Sequence, residues 1–234
     1  MIYFSKLSKH RYIKYMQNII ASKGTDMIHR EQTVDATKAE HIIAADDYHE
    51  DYEFTSINFS GITIAGKSFQ DCSFTSCNFR DMAMSNATFR SCVFLGCDIV
   101  LAKMYNVTLN DAVFVSCKIM GINFSECNSF EFFPEFRECI INNSVFNGVS
   151  LKKGAIRACR LVDCDCSDSD FRETDLRDTH FEHVSLHNCN FEKADFRNAR
   201  GYSIDPKSNN VNKAVFCLPE AQSFLRFLGI KIEG

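Results

Sequence analysis

The stretch QDCSFTSCNFRD, Gln70 to Asp81, sets two cysteines five residues apart, and the same spacing returns at Cys92 and Cys97. In a chain with 12 cysteines, four at regular intervals raise a zinc or iron–sulfur reading. What decides between a metal and a fold is whatever else returns every five residues. A large apolar residue does. It stands at Phe54, Phe59, Ile64, Phe69, Phe74, Phe79, Met84, Phe89, Phe94, Ile99, Met104, Leu109, Phe114, Ile119 and Phe124. A second run follows at Phe136, Ile141, Phe146, Leu151, Ile156, Leu161, Cys166, Phe171, Leu176, Phe181, Leu186, Phe191 and Phe196. The step from Phe124 to Phe136 is twelve residues rather than ten, so the register slips by two.

A period of five matches neither the 3.6 of an α-helix nor the 2 of a β-strand, so it cannot be one face of an ordinary element. It describes a solenoid in which each five-residue unit turns a corner and sends one large side chain inward. CSFTSCNFRD, SDFRETDLRD and KADFRNAR resemble the repeats of the pentapeptide-repeat proteins, and the resemblance covers Phe54 to Phe196. It implies an all-β fold, a right-handed quadrilateral β-helix with four repeats per coil. The 28 repeats would then make about seven coils, a rod of roughly 34 Å at the ~4.8 Å strand spacing. The expected organisation is a non-repetitive segment over 1–50, the β-helix over 51–200 with its break near 125–135, and a C-terminal cap over 201–234.

In that fold the large residue and the small residue two places before it both point inward. Cys72, Cys77, Cys92, Cys97, Cys117 and Cys127 stand two before a beat of the first register, Cys127 relative to Ser129. Cys139, Cys159, Cys164 and Cys189 do so in the second, making ten of 12 cysteines. A free thiol is a small hydrophobe when buried, so these are read as core, with no metal site. Cys77, Cys97 and Cys117 should form one column beside the ladder of Phe54, Phe74, Phe94 and Phe114.

Composition sets the outer limits. With 45% hydrophobic and 24% charged residues in 234, the chain can bury a sizeable core. The 22 phenylalanines, set against no tryptophan and 3 prolines, are accounted for by the beat. The sequence lacks an eighteen-residue apolar run and a secretory apolar core near its start, so a cytoplasmic protein without disulfides is expected. A net charge of -4 dictates no partner by itself.

Three segments leave the beat. FSKLSKHRYIKYMQNIIASKG spaces Phe4, Leu7, Ile13, Met16 and Ile20 as an amphipathic basic helix ending at Gly24. Its readings are a cap on the first coil, a stretch upstream of a native start at Met27, or, as the lesser alternative, a membrane-surface helix. SECNSFEFFPEF, Ser125 to Phe136, gathers Phe130, Phe132, Phe133 and Pro134 at the register slip. These four are loop contact candidates, with packing over a kink as the blander reading. After Phe196, DPKSNN is turn chemistry. Pro219 opens a helix expected to run to Leu228 with Gly229 as its cap, and IKIEG reads as a short strand. The apolar residues Phe224, Leu225, Phe227, Leu228, Ile230 and Ile232 exceed what one cap needs and suggest a dimer surface. The ending LPEAQSFLRFLGIKIEG resembles the C-termini of the microcin-immunity and Qnr-type quinolone-resistance branches of the family, where a helix and strand make the dimer interface.

Chemistry is not expected. The sequence has no phosphate-binding loop and no nucleophile elbow, and His180, His183 and His187 should meet solvent, so neither catalytic residues nor a cofactor are assigned. Charge is more telling. From Asp163 to Glu182, one coil, the acids are Asp163, Asp165, Asp168, Asp170, Glu173, Asp175, Asp178 and Glu182 against Arg172 and Arg177, leaving six net negative charges. They are read as an outward acidic belt. The preceding coil carries Lys152, Lys153, Arg157 and Arg160 with no acid. The resemblance implies a non-enzymatic, DNA-mimic-like rod. It would bind a type II topoisomerase, DNA gyrase or topoisomerase IV, and protect it from a quinolone or peptide toxin, with no direct nucleic-acid or membrane partner. A rigid scaffold for an unrelated partner is the alternative.

Overall fold

The computed structural model describes residues 33–34, 36–60 and 63–229. The expected basic helix at Phe4–Ile20 and the terminal strand with Ile230 and Ile232 lie outside the described residues. The chain winds as a parallel β-solenoid of about seven turns. Short strands pair in parallel with the strand one coil on, so Glu53–Thr55 pairs with Ser73–Thr75, which pairs with Val93–Leu95, each twenty residues apart. Four repeats therefore close one turn, and each repeat forms one side. We number the sides by their inward residues: the first through Phe54, the second through Phe59, the third through Ile64 and the fourth through Phe69.

The core is a set of ladders. Phe54, Phe74, Phe94, Phe114 and Phe136 stack nearly parallel at 5.0, 4.9, 4.7 and 5.1 Å between successive ring centroids. Rings on adjacent sides meet edge-on, as Phe74 does with Phe79 at 5.5 Å, the geometry that aromatic quadrupoles favour. The small inward slot has its own logic. Cys97 donates its thiol hydrogen to the carbonyl of Phe74 and to that of Leu95, at 3.3 and 3.5 Å. Thr179 fills an equivalent slot and donates to Ile156 at 2.7 Å, and Ser169 donates to Phe146 at 2.6 Å. The slot takes buried side chains, alanine and other apolar residues included, and where Cys, Ser or Thr fills it the side chain gives its hydrogen to a neighbouring carbonyl. Eleven of the 12 cysteines are buried and Cys217 is half-buried. Burial pushes Cys92 and Cys159 well up and Cys127 up to about 12, so these thiols stay protonated and inert.

Two outward positions of each repeat do structural work as well. The residue two after the beat takes a left-handed backbone, as at Asp71, Asn86, Asp163, Asp168, Glu173 and Asp178. Asn and Asp tolerate that region better than most residues. The Asp or Asn just before the beat caps its own turn: Asp165, Asp170, Asp175 and Asp195 each accept the backbone N–H two residues on, at 3.0 to 3.2 Å.

The register slip is absorbed at one corner. Phe132 pairs beside Leu109, and Phe136 beside Phe114, with a bulge between Phe133 and Glu135. The extra residues form a short 3-10 turn, Ser129–Glu131. Asn128 caps it by accepting the Phe130 N–H at 3.2 Å and donating to Thr108 Oγ1 at 3.2 Å, and Glu131 is clamped by Arg90.

The ladder runs past both ends of the expected rod. Val34 pairs with Phe54 and His49 with Phe69, under a cap made by the helix Ala36–Ala45. At the other end Asn210 bridges to Asn190 and Val215 to Asp195, and Phe216 stacks on Phe196 at 4.8 Å. Between them Gly201 takes a beat position because a Cβ there would lie 2.1 Å from the Phe181 carbonyl oxygen, while Tyr202 turns inward instead. DPKSNN is a turn: Asp205 accepts from Lys207, Ser208 and Asn209, and Asn209 fills the small slot by accepting the Cys189 N–H at 2.7 Å. Pro219 then precedes a 3-10 helix, Glu220–Leu228, closed by Gly229 in the left-handed conformation.

Candidate partner-binding surfaces

The acids of the predicted belt fall into two kinds. Asp163, Asp168, Glu173 and Asp178 sit at the four corners of one coil and are exposed. Asp165, Asp170, Asp175 and Glu182 lie on the sides and are half-buried. An even belt on all four sides is corrected by the ion pairs. Asp170 holds Arg172 and Asp175 holds Arg177 through paired contacts of 2.5 to 3.0 Å. Basic residues of the coil above reach down as well: Arg160 meets Glu182 at 2.5 Å, and Arg157 lies 4.0 Å from Asp175 and 3.8 Å from Asp178. The cause is strand geometry. In a D-x-R triplet the acid and the arginine are two residues apart, so they share an outward side.

What stays acidic is the third side. Its outward residues over three coils are Asn123, Ser125 and Glu126, then Val145, Asn147 and Gly148, then Asp165, Ser167 and Asp168, with Asp163 at the adjoining corner. That surface includes no lysine or arginine. Asn188 and then Asn147 donate to Asp168 and hold its carboxyl below the usual range, and His183 stands 3.3 Å from Asp163. The corner between the fourth and first sides is mainly basic: Lys153, Lys193 and Lys213 are exposed there, with Glu173 between the first two.

The four loop candidates also divide. Phe130 is 89% exposed and Phe133 54%, whereas Phe132 is 3% exposed and Pro134 is buried. Phe132 and Pro134 are therefore corrected from contact residues to core, because Phe132 takes the inward beat on the fourth side and packs edge-on to Phe124 at 6.2 Å. Phe130 and Phe133 project together from the fourth side.

At the C-terminal end Phe224 folds onto the rod, 4.7 Å from Phe216 and 6.2 Å from Tyr202. Leu225 and Phe227 remain half-exposed, Leu218 is exposed, and Val215 adds to the same apolar end. The side chain of Leu228, and Ile230 and Ile232, lie outside the described part of the structure. An open cleft of about 610 Å³ lies off the rod between this helix and the Gly201–Ser203 segment, lined by Tyr202, Ser203, Glu220, Gln222, Ser223 and Arg226. Among the described residues no cluster of His, Cys, Asp and Glu can hold a metal ion, and no helix is long and apolar enough to cross a membrane.

Residues 134–200 match the pentapeptide repeat region family, and residues 27–124 match the SV2A/B/C luminal domain. The two matches stop on either side of the register slip. No curated protein matches the sequence. Among solved structures, two trypsin-treated forms of QnrB1, a plasmid-mediated fluoroquinolone resistance protein, resemble the chain at 20% identity with TM-scores of 0.63 and 0.62. The first covers 86% of this chain and 95% of its own, the second 80% and 90%. HetL, a pentapeptide repeat protein of the cyanobacterium Nostoc sp. strain PCC 7120 involved in heterocyst differentiation regulation, aligns at 15% identity over 78% of this chain and 92% of its own, with a TM-score of 0.37. At these identities the QnrB1 likeness is one of fold.

Proposed function

We propose that this chain, a pentapeptide-repeat protein, is a non-enzymatic rod that binds a type II topoisomerase in the cytoplasm and protects it from a quinolone or peptide poison. The observation that carries the reading is the third side: Glu126, Asp163, Asp165 and Asp168 lie on one flank whose outward positions hold no lysine or arginine over the three coils of Phe124, Phe146 and Cys166, the exposed Lys103 standing one coil before them. A basic DNA groove would meet such a flank by charge complementarity, which steers association and makes it salt-dependent. Duplex DNA presents about three charges over the ~4.8 Å height of a coil, so one flank of this rod copies the sign of DNA rather than its full charge density. The fold shared with QnrB1, a plasmid-mediated fluoroquinolone resistance protein, favours a role in resistance to such a poison. The partner in this reading is the enzyme itself, bound without direct contact to nucleic acid or membrane.

The rod would act as a homodimer joined at its apolar C-terminal end, through Leu225 and Phe227 with the neighbouring Leu218. Phe224 contributes from beneath, since it already packs on its own rod.

Gyrase supercoiling, with and without poison, tests the proposal together with a pull-down on topoisomerase subunits. Binding that weakens at least tenfold in Glu126→Lys/Asp163→Lys/Asp168→Lys, more at low salt than at high, is the expected result. Absence of binding, inhibition and rescue by the unaltered chain would remove it. The projecting Phe130 and Phe133 favour a second reading, a scaffold that seats these rings in an apolar pocket of another protein. In that case Phe130→Ser would abolish capture and the charge reversals would not matter.

A further inference from the structure

The first inward position of the fourth side is filled by a histidine. His49 is 1% exposed, stacks on Phe69 at 4.9 Å and meets Tyr52 edge-on at 5.9 Å. Its Nε2 is buried without a hydrogen-bond partner. Everywhere below it on this side the same position holds Phe, Leu or Val, as at Phe69, Phe89, Leu109 and Phe171, so the ring stands in an apolar ladder that accepts it only when neutral.

His49 also stands at a joint. It follows directly on the cap helix Ala36–Ala45, which sets Ala39 and Ile43 into the core and turns Lys38, Glu40 and His41 to solvent. Asp46 and Asp47 end that helix. Lys67, from the next coil, donates to the Asp46 carbonyl at 2.9 Å and to the Asp47 carboxylate at 2.8 Å, and its side chain is only 16% exposed. Cys72 donates its thiol hydrogen to the His49 carbonyl at 3.5 Å. The charged and titratable groups around the ring are thus Asp46 and Asp47 from the helix end, Lys67 and Cys72 from the next coil, and Tyr52.

We propose that His49 is an acid-operated latch: protonating its ring frees the helix Ala36–Ala45 from the end of the rod and opens the first coil. A second ring proton would have no acceptor at the buried Nε2, and the new charge would be repelled by the Lys67 ammonium, against which the attraction of a cation to the Phe69 face is a partial offset. Burial, and after it Lys67, holds the ring below its ordinary value, while Asp46 and Asp47 oppose this. The sign follows. A histidine whose folded value is lowered contributes stability above its free value of about 6.5, and that contribution is lost as pH falls below it. The carboxylates offset part of the effect but cannot reach the unpartnered nitrogen on the apolar side.

Hydrogen exchange of the full chain, corrected for intrinsic rates, tests the latch. Between pH 7.5 and 5.0, exchange of amides in residues 36–50 should accelerate by up to about thirty-fold, the limit for a ring that titrates only when released. Amides of residues 155–182 should not change. His49→Phe should keep the cap closed at both pH values. An unaltered chain whose cap protection is flat with pH, or a His49→Phe chain that opens as the unaltered one does, would overturn the proposal. Should that variant not fold, the His49 ring can be followed by NMR in the unaltered chain. Its protonation must then coincide with cap opening, and a ring that takes its proton while residues 36–50 stay protected rules the latch out.

Discussion

Phe114 stacks on Phe136 at 5.1 Å with their planes 14° apart, although 22 residues separate them and every other neighbour in that ladder but this one is 20 away. The slip of two residues is expelled sideways into the Ser129–Glu131 turn, and the aromatic column passes it unbroken. Stacking therefore decides the register, and loop length follows.

That ladder predicts a contrast between two phenylalanines sixteen positions apart. Phe114→Ala should cost on the order of 3–5 kcal/mol, because a well-packed cavity collapses only in part. Phe130→Ala should change stability by less than about 0.5 kcal/mol, since the ring is in solvent. Urea unfolding of the two variants checks both values.

Thiol chemistry offers a second test. Eleven cysteines are buried and donate to carbonyls or fill the core, and only Cys217 is half-buried. In the native protein a water-soluble disulfide reagent should modify Cys217 alone, with the remaining thiols reacting only on unfolding. Cys217→Ser should abolish the fast phase. Rapid labelling of Cys97 or Cys117 would contradict the interior column.

Gly201 predicts a backbone effect. Its φ is +73° and a Cβ would strike the Phe181 carbonyl, so Gly201→Ala should destabilise the last coil by about 1–3 kcal/mol through strain. Gly148, also left-handed but with open space around it, should tolerate alanine at a cost of about 1 kcal/mol. Thermal melts of the pair separate clash from conformation.

Acid should weaken the C-terminal half through its paired carboxylates. Arg172 holds Asp170 below its ordinary range, and at Asp175 burial pushes the carboxyl up but Arg177 prevails and lowers it. A depressed carboxyl contributes stability above its free value of about 3.9 and loses it as pH falls further. With His49→Phe in place, to remove the histidine's own pH dependence, the melting temperature should thus be level from pH 7 to 5 and fall below 4. Because each exposed pair contributes no more than about 1 kcal/mol, Asp170→Asn should shift the pH 7 melting point by less than about 4 °C while flattening the acid limb. Asparagine still caps the turn.

The coil itself was legible because one large residue every five admits a single geometry, and the thiol slots followed from counting two places back. The ends were less legible for a physical reason. His49 and Gly201 hold ladder positions without being large and apolar, Asn209 holds a slot without being small, and only the neighbours at Phe69, Phe181 and Cys189 explain them. The acidic flank was visible as composition but not as a side. Its partition depends on D-x-R triplets at 170–172 and 175–177, a signal present in the sequence, and on Arg157 and Arg160 reaching across coils, which is not. Phe132 and Phe133 are adjacent and alike; the strand's alternation alone sends one inward and the other out.

A chain wound this way has a length that comes in quanta. Removing one whole turn, such as residues 79–98, would shorten the rod by a rung and leave Asp163 and Phe130 on their present flanks, whereas removing ten residues would swing everything downstream to the opposite flank. Insertions are free to vary only where a corner can shed them, as it does at Ser129–Glu131. Evolution or an engineer can therefore tune the reach of the molecule and the bearing of its surfaces as two separate dials.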